Sequence, residues 1–424
     1  MSASRSGFFL LISVGFATVG CGSSGDSDPS IPDTYRFERD GDSTVAYTGQ
    51  TTRQVLIEDL VASMKAISDD VLGGRNLERY GTPDDVLAFL TPLYELGGAA
   101  NPNRALPNFV LEGDSMLQST YADLNDTNLE EKLAGNDAIT DHKDWNGGDF
   151  VGWEDANLVV NEEGDLGAPQ TPEALLFGFF WTFGTQASAA ARGDFTAEAD
   201  TPLYLTPDGH DLSQLVEKFL LGSVNFSQSA DDYLDDDVDG KGLLVDNEVT
   251  EGAPYTSLEH HWDEAYGYWG GARDYGEYTD EEIAAAGGRA EYENGYHDSN
   301  GDSAIDLRSE LNLGASVNAA KRDLGSAQGV PTDFTAEADL AFRTGRAIIA
   351  AAHEAGAPVD LDALGAQRDR IVSAWEKAYA ATAIQDVNVV LDDLDAIGTP
   401  ADSCAGQAQH WSELKGVALG VPVT

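Results

Sequence analysis

The chain has 424 residues, 74 of them acidic against 24 Lys and Arg, for a formal net charge of −50 at neutral pH. So acidic a surface repels nucleic acid, whose binding rests on neutralising phosphates with basic side chains, and it excludes a polybasic hold on anionic lipid. It suits either a solvated face in salty surroundings or a field that gathers cations toward a site.

The N-terminus, MSASRSGFFLLISVGFATVGCGSSGDSDPS, reads as a targeting segment rather than folded structure. Arg5, the apolar run from Phe8 and the small Gly20 before Cys21 make residues 1–20 a secretory signal with a lipoprotein-type cleavage site. The run is too short to span a bilayer. Cys21 is the expected lipidation site, and residues 21–44 form a flexible tether of small polar side chains. Residue 22 is Gly rather than the Asp of an inner-membrane retention signal, which points to an outer-membrane lipoprotein of a Gram-negative cell, facing the periplasm or the exterior. Acylation of Cys21 leaves Cys404 alone, so no intramolecular disulfide is expected.

The remainder predicts an all-α fold. Helices are expected at 51–67, 82–98, 171–192 and 211–234, with Thr or Asp start signals and Pro in the first turn of the second and third. Residues 99–170, rich in Asn, Asp and Gly, read as long irregular loops. After an acidic connector near 231–255, further helices are expected at 256–270, 280–288, 305–324, 333–356, 360–383 and 405–419. The pattern implies two packed, bundle-like units, residues 45–235 and 256–424.

One phrase, His-Trp-x-Glu-x-x-Gly, occurs twice, as HWDEAYG (261–267) and HWSELKG (410–416). On a helix, His at i and Glu at i+3 project from one side. In the first copy Leu258, Trp262, Ala265, Tyr266 and Trp269 form an apolar stripe, with Ser257, His260, His261, Glu264 and Tyr268 opposite. In the second, Trp411, Leu414 and Ala418 share a stripe and His410 and Glu413 stand off it. Each Trp is thus expected to anchor its helix. Gly267 and Gly416 each lower helix propensity by about 1 kcal/mol relative to Ala, which points to close approach of another helix or a ligand.

The chemistry these residues suggest is a metal site of His261, Glu264, His410 and Glu413, with Glu259 or His260 assisting. Imidazole and carboxylate donors suit iron, zinc or manganese, and the lack of thiolates argues against copper(I). Helical bundles build such sites from i, i+3 Glu/His pairs on facing helices. The alternatives are pairs that bridge helices without metal, or acid-base catalysis by Glu264 or Glu413.

LEHHWDEAYGYWG (258–270), NLGASVNAAKRDLG (312–325) and AQHWSELKGVALG (408–420), behind a lipoprotein signal, resemble domain-of-unknown-function family 4856 of bacterial envelope lipoproteins. More distantly, His261 and Glu264 with the trailing aromatic and Gly resemble the Gly-x-His-x-x-Glu signature of imelysin-like proteins. That likeness implies a helical-bundle fold, a link to iron uptake and a peptidase label, and carries over His261 and Glu264 as site residues. Glu259 stands where the signature has Gly, and Gln385 where His is expected in the closer family.

A second ion candidate is DSNGDSAIDLRSE (298–310), which begins like a calcium loop with Asp298, Asn300, Asp302 and Asp306 at positions 1, 3, 5 and 9. It departs at position 6, Ser303 instead of Gly, and at position 12, Ser309 with Glu310 one place late. The alternative is a polar turn that caps the next helix. His142, His210, His297 and His353 are expected to be hydrogen-bonded or exposed. Phosphate-cradling, nucleophile-elbow, paired-Cys and His-Glu-x-x-His signatures are absent. The expected function is a lipid-anchored envelope protein that binds a metal ion or metal complex, with calcium as a second candidate ion, as an accessory to iron uptake. Its partners are the membrane, the metal and another envelope protein. The rivals are a non-catalytic surface interaction protein and a metal-dependent hydrolase.

Overall fold

A computed structural model of the chain describes residues 29–111, 114–136, 171–195, 201–399 and 403–421. The expected signal segment, Cys21 and His142 lie outside the described residues. The fold is all-α, as expected, with one small hairpin at its start. That hairpin pairs β1 (Glu38–Arg39) with β2 (Asp42–Ser43), Glu38 opposite Ser43. Its two-residue loop is Asp40-Gly41, both at positive φ (55° and 90°), the conformation that best matches strand twist.

The helices in chain order are α1 (Thr48–Leu72), α2 (Pro83–Glu95), α3 (Gly97–Ala100), α4 (Pro172–Arg192), α5 (Leu212–Leu220), α6 (Ser257–Trp269), α7 (Asp280–Ile283), α8 (Gly314–Leu324), α9 (Phe334–Ala355), α10 (Leu361–Ala396) and α11 (Cys404–Gly420). Their ends obey simple capping chemistry. Thr82 and Thr256 form capping boxes with Asp85 and Glu259, and Thr171 accepts the Ala174 amide with Pro172 in the first turn. None of the described helices is long and apolar enough to cross a membrane.

Residues 35–44, expected to belong to the tether, are part of the folded body, with Tyr35 and Thr44 buried, and four helices differ from the sequence expectation. The helix predicted over 211–234 is α-helical only to Leu220 and continues as π-helical turns at Leu221–Phe226 and Gln228–Tyr233. Every residue from 222 to 229 is buried there, because α1, α6 and α11 surround the segment. The helix at 280–288 ends at Ile283. The one at 305–324 starts only at Gly314, whose positive φ of 54° breaks the run and whose missing side chain leaves room for Gln54. By contrast α10 runs on to Ala396, past the expected residue 383.

The two runs of helices share one core. A single cluster of buried side chains reaches from Tyr35 to Leu419, with α11 packed on α5 and α1 on α6. At its centre Arg346 of α9 is fully buried and clamps two acids of α6. Its Nη1 donates to Glu259 at 2.8 Å and its Nε to Asp263 at 2.9 Å, while Nη2 donates to the Thr44 hydroxyl at 2.9 Å. The acids have further donors: Arg39 and the Thr256 amide for Glu259, the Tyr35 hydroxyl and Ala46 amide for Asp263. Burial alone would raise the Glu259 carboxyl, but Arg346, Thr256 and Arg39 together hold it below its ordinary value. The clamp thus ties α6, α9 and the hairpin segment into one unit.

Removing one partner of such a cluster strands the others. Arg346→Met is expected to cost about 3–5 kcal/mol, read as a lower urea midpoint, and adding E259Q and D263N should restore part of the loss.

Candidate functional site

The first copy of the repeated phrase lies on α6. Its apolar stripe is buried as expected: Leu258, Trp262, Ala265, Tyr266 and Trp269 are all at most 1% exposed. The Trp262 indole donates to the Phe342 carbonyl at 2.9 Å and lies flat on Gly345, where an added Cβ would stand 2.1 Å from the ring. Gly267 admits α1, since a Cβ there would meet Tyr47 Cβ at 2.6 Å. The close approach inferred from this glycine is therefore a helix contact. Tyr268, assigned to the polar side, is buried instead.

The second copy lies on α11 and turns differently. Trp411 is 44% exposed and Ala418 is exposed, so Trp411 does not anchor its helix. The buried residues are Ala408, Ser412, Gly416 and Gly420, one small residue per turn, together with Val417 and Leu419, and the helix packs against α5. Small side chains bring the backbones together: a Cβ on Gly416 would meet Lys218 Cβ at 2.8 Å, and one on Gly222 would meet the Gly420 carbonyl carbon at 2.4 Å. Ser412 Oγ accepts the Asp211 amide at 2.7 Å.

The candidate metal ligands are spread among protein partners. Glu259 belongs to the Arg346 clamp and to the α6 capping box, so it has no free oxygen to assist a metal. His260 donates Nδ1–H to the Ala46 carbonyl at 3.1 Å and stacks on Tyr255. Glu264 accepts from Gln50 at 2.8 Å and lies 3.8 Å from His260. His410 bonds Asp393 at 2.8 Å, and Glu413 accepts from Gln409 at 3.1 Å. His261 edges onto Tyr233, and burial lowers its pKa against the pull of Glu264 and Asp232. Its Nδ1 is buried without a partner. α6 packs on α1, α8, α9 and the π-helical turns, whereas α11 packs on α5, α10 and the first of those turns. Among the described residues no group of three or more His, Cys, Asp or Glu side chains is spaced to hold a metal ion, so the four expected ligands do not converge.

The 298–310 loop is organised by its own backbone. Asp298 accepts the amides of Gly301, Asp302 and Ser303, Asn300 accepts that of Asp302, and Asp302 that of Ala304. Ser303 takes a positive φ of 72° at the position where a calcium loop has Gly. Asp306 is turned away, held by Arg308 and Gln118, and Glu310 holds Ser299 and the Asp306 amide. His210, His297 and His353 are hydrogen-bonded or ion-paired, to Asp208, Asp274 and the Asn247 carbonyl.

Sequence reasoning missed a cavity of about 310 Å3 where α1, α5, α8, α10 and α11 meet. Glu58, Glu217, Lys218 and Lys321 line it beside an apolar wall that includes Phe109 and Val317. Gly416 lets the Lys218 stem pass under α11, so the second copy of the phrase helps to shape this site. Lys218 pairs with Glu217, which outweighs burial and raises its pKa. Burial first, then the Glu217 carboxylate, pushes Glu58 up to about 7. Burial first, then Lys218, lowers Lys321. Nearby, burial and Glu413 push Asp386 up to about 6.

Two outcomes follow from this geometry. Trp262→Ala is expected to cost about 3–5 kcal/mol, and Trp411→Ala less than about 0.5 kcal/mol, by denaturant titration of each variant. Ionising Glu58 disfavours the fold, so the native protein should lose stability as pH rises from about 4.5 through about 7. Glu58→Gln, still surrounded by Glu217, Lys218, Lys65 and Lys321, is expected to be more stable than the native chain at pH 8 by up to about 3 kcal/mol. The difference should vanish near pH 4, read as thermal midpoints across that range.

No curated protein and no solved structure matches the chain. A family model does, over residues 32–79 and 179–304, which hold the hairpin, α1, α5, the π-helical turns and α6. These are the elements that receive the Arg346 clamp and supply Glu58, Glu217 and Lys218 to the cavity. The model is described as Domain of unknown function (DUF4856), and over these residues the chain is similar to that family.

Proposed function

We propose that this chain is a lipid-anchored, non-catalytic interaction protein of the bacterial envelope, in which the His-Trp-x-Glu-x-x-Gly copies fasten helices. The observation that supports this reading is an uncovered apolar stripe on the last turns of α10. Ile384, Val387, Leu391 and Leu394 are 44–65% exposed and fall on one face of the helix, and Ile397 follows just beyond it. Single exposed aliphatic residues are ordinary, but a run of them at helical spacing marks an interaction surface. Asp392 and Asp395 beside it, within a strongly acidic chain, suit a partner helix with an apolar face and basic flanks.

A second reading, metal or metal-complex binding through His261 and Glu264, rests on the unpartnered buried Nδ1 of His261. Cys21 as the lipid attachment belongs to either reading. The test combines a paired substitution, followed in the purified chain and in intact cells, with elemental analysis of the purified chain. Leu391→Asp with Leu394→Asp is expected to leave the thermal midpoint within the equivalent of about 0.5 kcal/mol and to abolish cross-linking from position 387 to an envelope protein in intact cells. Elemental analysis, without chelator or affinity metal, is expected to find no stoichiometric iron or zinc. Stoichiometric metal that disappears in H261A/H410A would replace the interaction reading with the metal one.

A further inference from the structure

The cavity between α1, α5, α8, α10 and α11 carries an unusual combination of charges. Lys218 and Glu217 satisfy each other. Glu58 of α1 and Lys321 of α8 have no hydrogen-bond or ion-pair partner among the described residues, yet both line the same cavity. One unpaired acid and one unpaired base would ordinarily close on each other or turn to water. Here Lys321 keeps part of its surface in water and Glu58 is half-buried, and both border a space that an apolar wall partly encloses.

The donors near Lys321 are arranged for a carboxylate. Asn318 stands three residues before Lys321 on α8, so the two side chains share a helix face. Its Oδ1 is taken by the Thr382 hydroxyl at 2.9 Å, which fixes the amide and leaves Nδ2 buried with no partner. Behind Gly314, another lining residue, the fully buried Asn225 also has both amide atoms unpartnered. Buried polar groups are rarely left unbonded, and this concentration around one cavity points to a polar guest.

Three larger hollows, of about 570, 420 and 320 Å3, have no lysine in their walls to meet an unpaired acid, although the second holds two unpartnered buried oxygens, Tyr278 Oη and Asp339 Oδ1. In the first His353 bonds the Asn247 carbonyl, and in the second Asp339 pairs with Arg343 and Asp280 accepts from Thr335.

We infer that this cavity binds a free, apolar α-amino acid as its zwitterion, the ligand carboxylate on Lys321 and the Asn318 amide, its ammonium on Glu58, and its side chain on Phe109 and Val317. The volume is at the small end of ligand cavities, which run from about 300 Å3. Two ammonium groups balanced by two carboxylates leave no excess charge for a nucleotide or another polyanion.

Calorimetry on the full chain tests this with L-leucine, L-phenylalanine, N-acetyl-leucine, leucinamide and the dipeptide Leu-Leu. The amino acids are expected to bind one to one, with each blocked derivative weaker by about 10- to 100-fold, the range for losing a hydrogen bond to a charged group. The dipeptide, whose charges are further apart, should also be weaker. Glu58→Gln should remove the preference for leucine over N-acetyl-leucine, and Lys321→Met the preference over leucinamide, with thermal midpoints recorded to show that both variants fold. The inference is overturned if neither amino acid gives heat at about 10 mM, if leucinamide or the dipeptide binds best, or if folded variants keep the native preferences.

Discussion

A guanidinium with no exposed surface, held between two carboxylates one helical turn apart, is the constraint around which the rest of this protein is arranged. Taking three charges out of water is costly unless every hydrogen-bonding position is filled, and here the filling comes from four separate stretches of chain. Arg346 enters from α9, Glu259 and Asp263 from α6, Thr44 and Ala46 from the segment after the hairpin, and Tyr35 and Arg39 from before and within it. None of these stretches can shift without leaving a buried charge short of a partner. The geometry therefore sets the rotation of α6, and that rotation turns Trp262 onto Gly345 and leaves His260, His261 and Glu264 on the partly exposed side.

The two copies of the repeated phrase illustrate how alike sequences acquire unlike roles. On α6 the Trp packs and the Glu two residues later meets Gln50. On α11 the Trp is exposed and the helix is seated through small residues at every fourth position. What they share is the glycine, which in both cases admits a neighbouring helix at a distance no larger residue allows. A bundle of this kind can place a long side chain such as Lys218 in a crowded interior only where a neighbour contributes no Cβ.

Much of the fold was legible in the sequence because helix ends carry local chemistry. Thr-Pro at 82–83 and 171–172, and Asp at 333 and 360, mark starts that need no tertiary information. The failures have equally physical causes. The stripe assigned to α11 counted Trp411 as a core residue, whereas the buried residues are mostly Ala, Ser and Gly, whose weak hydrophobicity blurs the amphipathic pattern that Val417 and Leu419 alone would draw. The last turns of α10 were cut short because their apolar side chains face away from the core. For the site, Glu259 was read as a metal donor because its true partner lies 87 residues away on α9. The cavity was invisible for the same reason, since Glu58, Lys218 and Lys321 belong to three helices far apart in sequence and none sits in a recognisable phrase.

The hairpin segment also has a mechanical side. In a chain held by a lipid at Cys21, any pull along the tether reaches the folded body at Tyr35, Arg39 and Thr44, the residues that lock onto the central charges and whose Tyr35 ring stacks on Tyr266 at 3.8 Å. Force would thus load a set of long-range bonds that must break together, rather than peel away a loose end. An attachment at Cys21, as proposed above, would therefore load the central charge clamp itself, so that pulling from that side would meet several bonds at once rather than a single weak end.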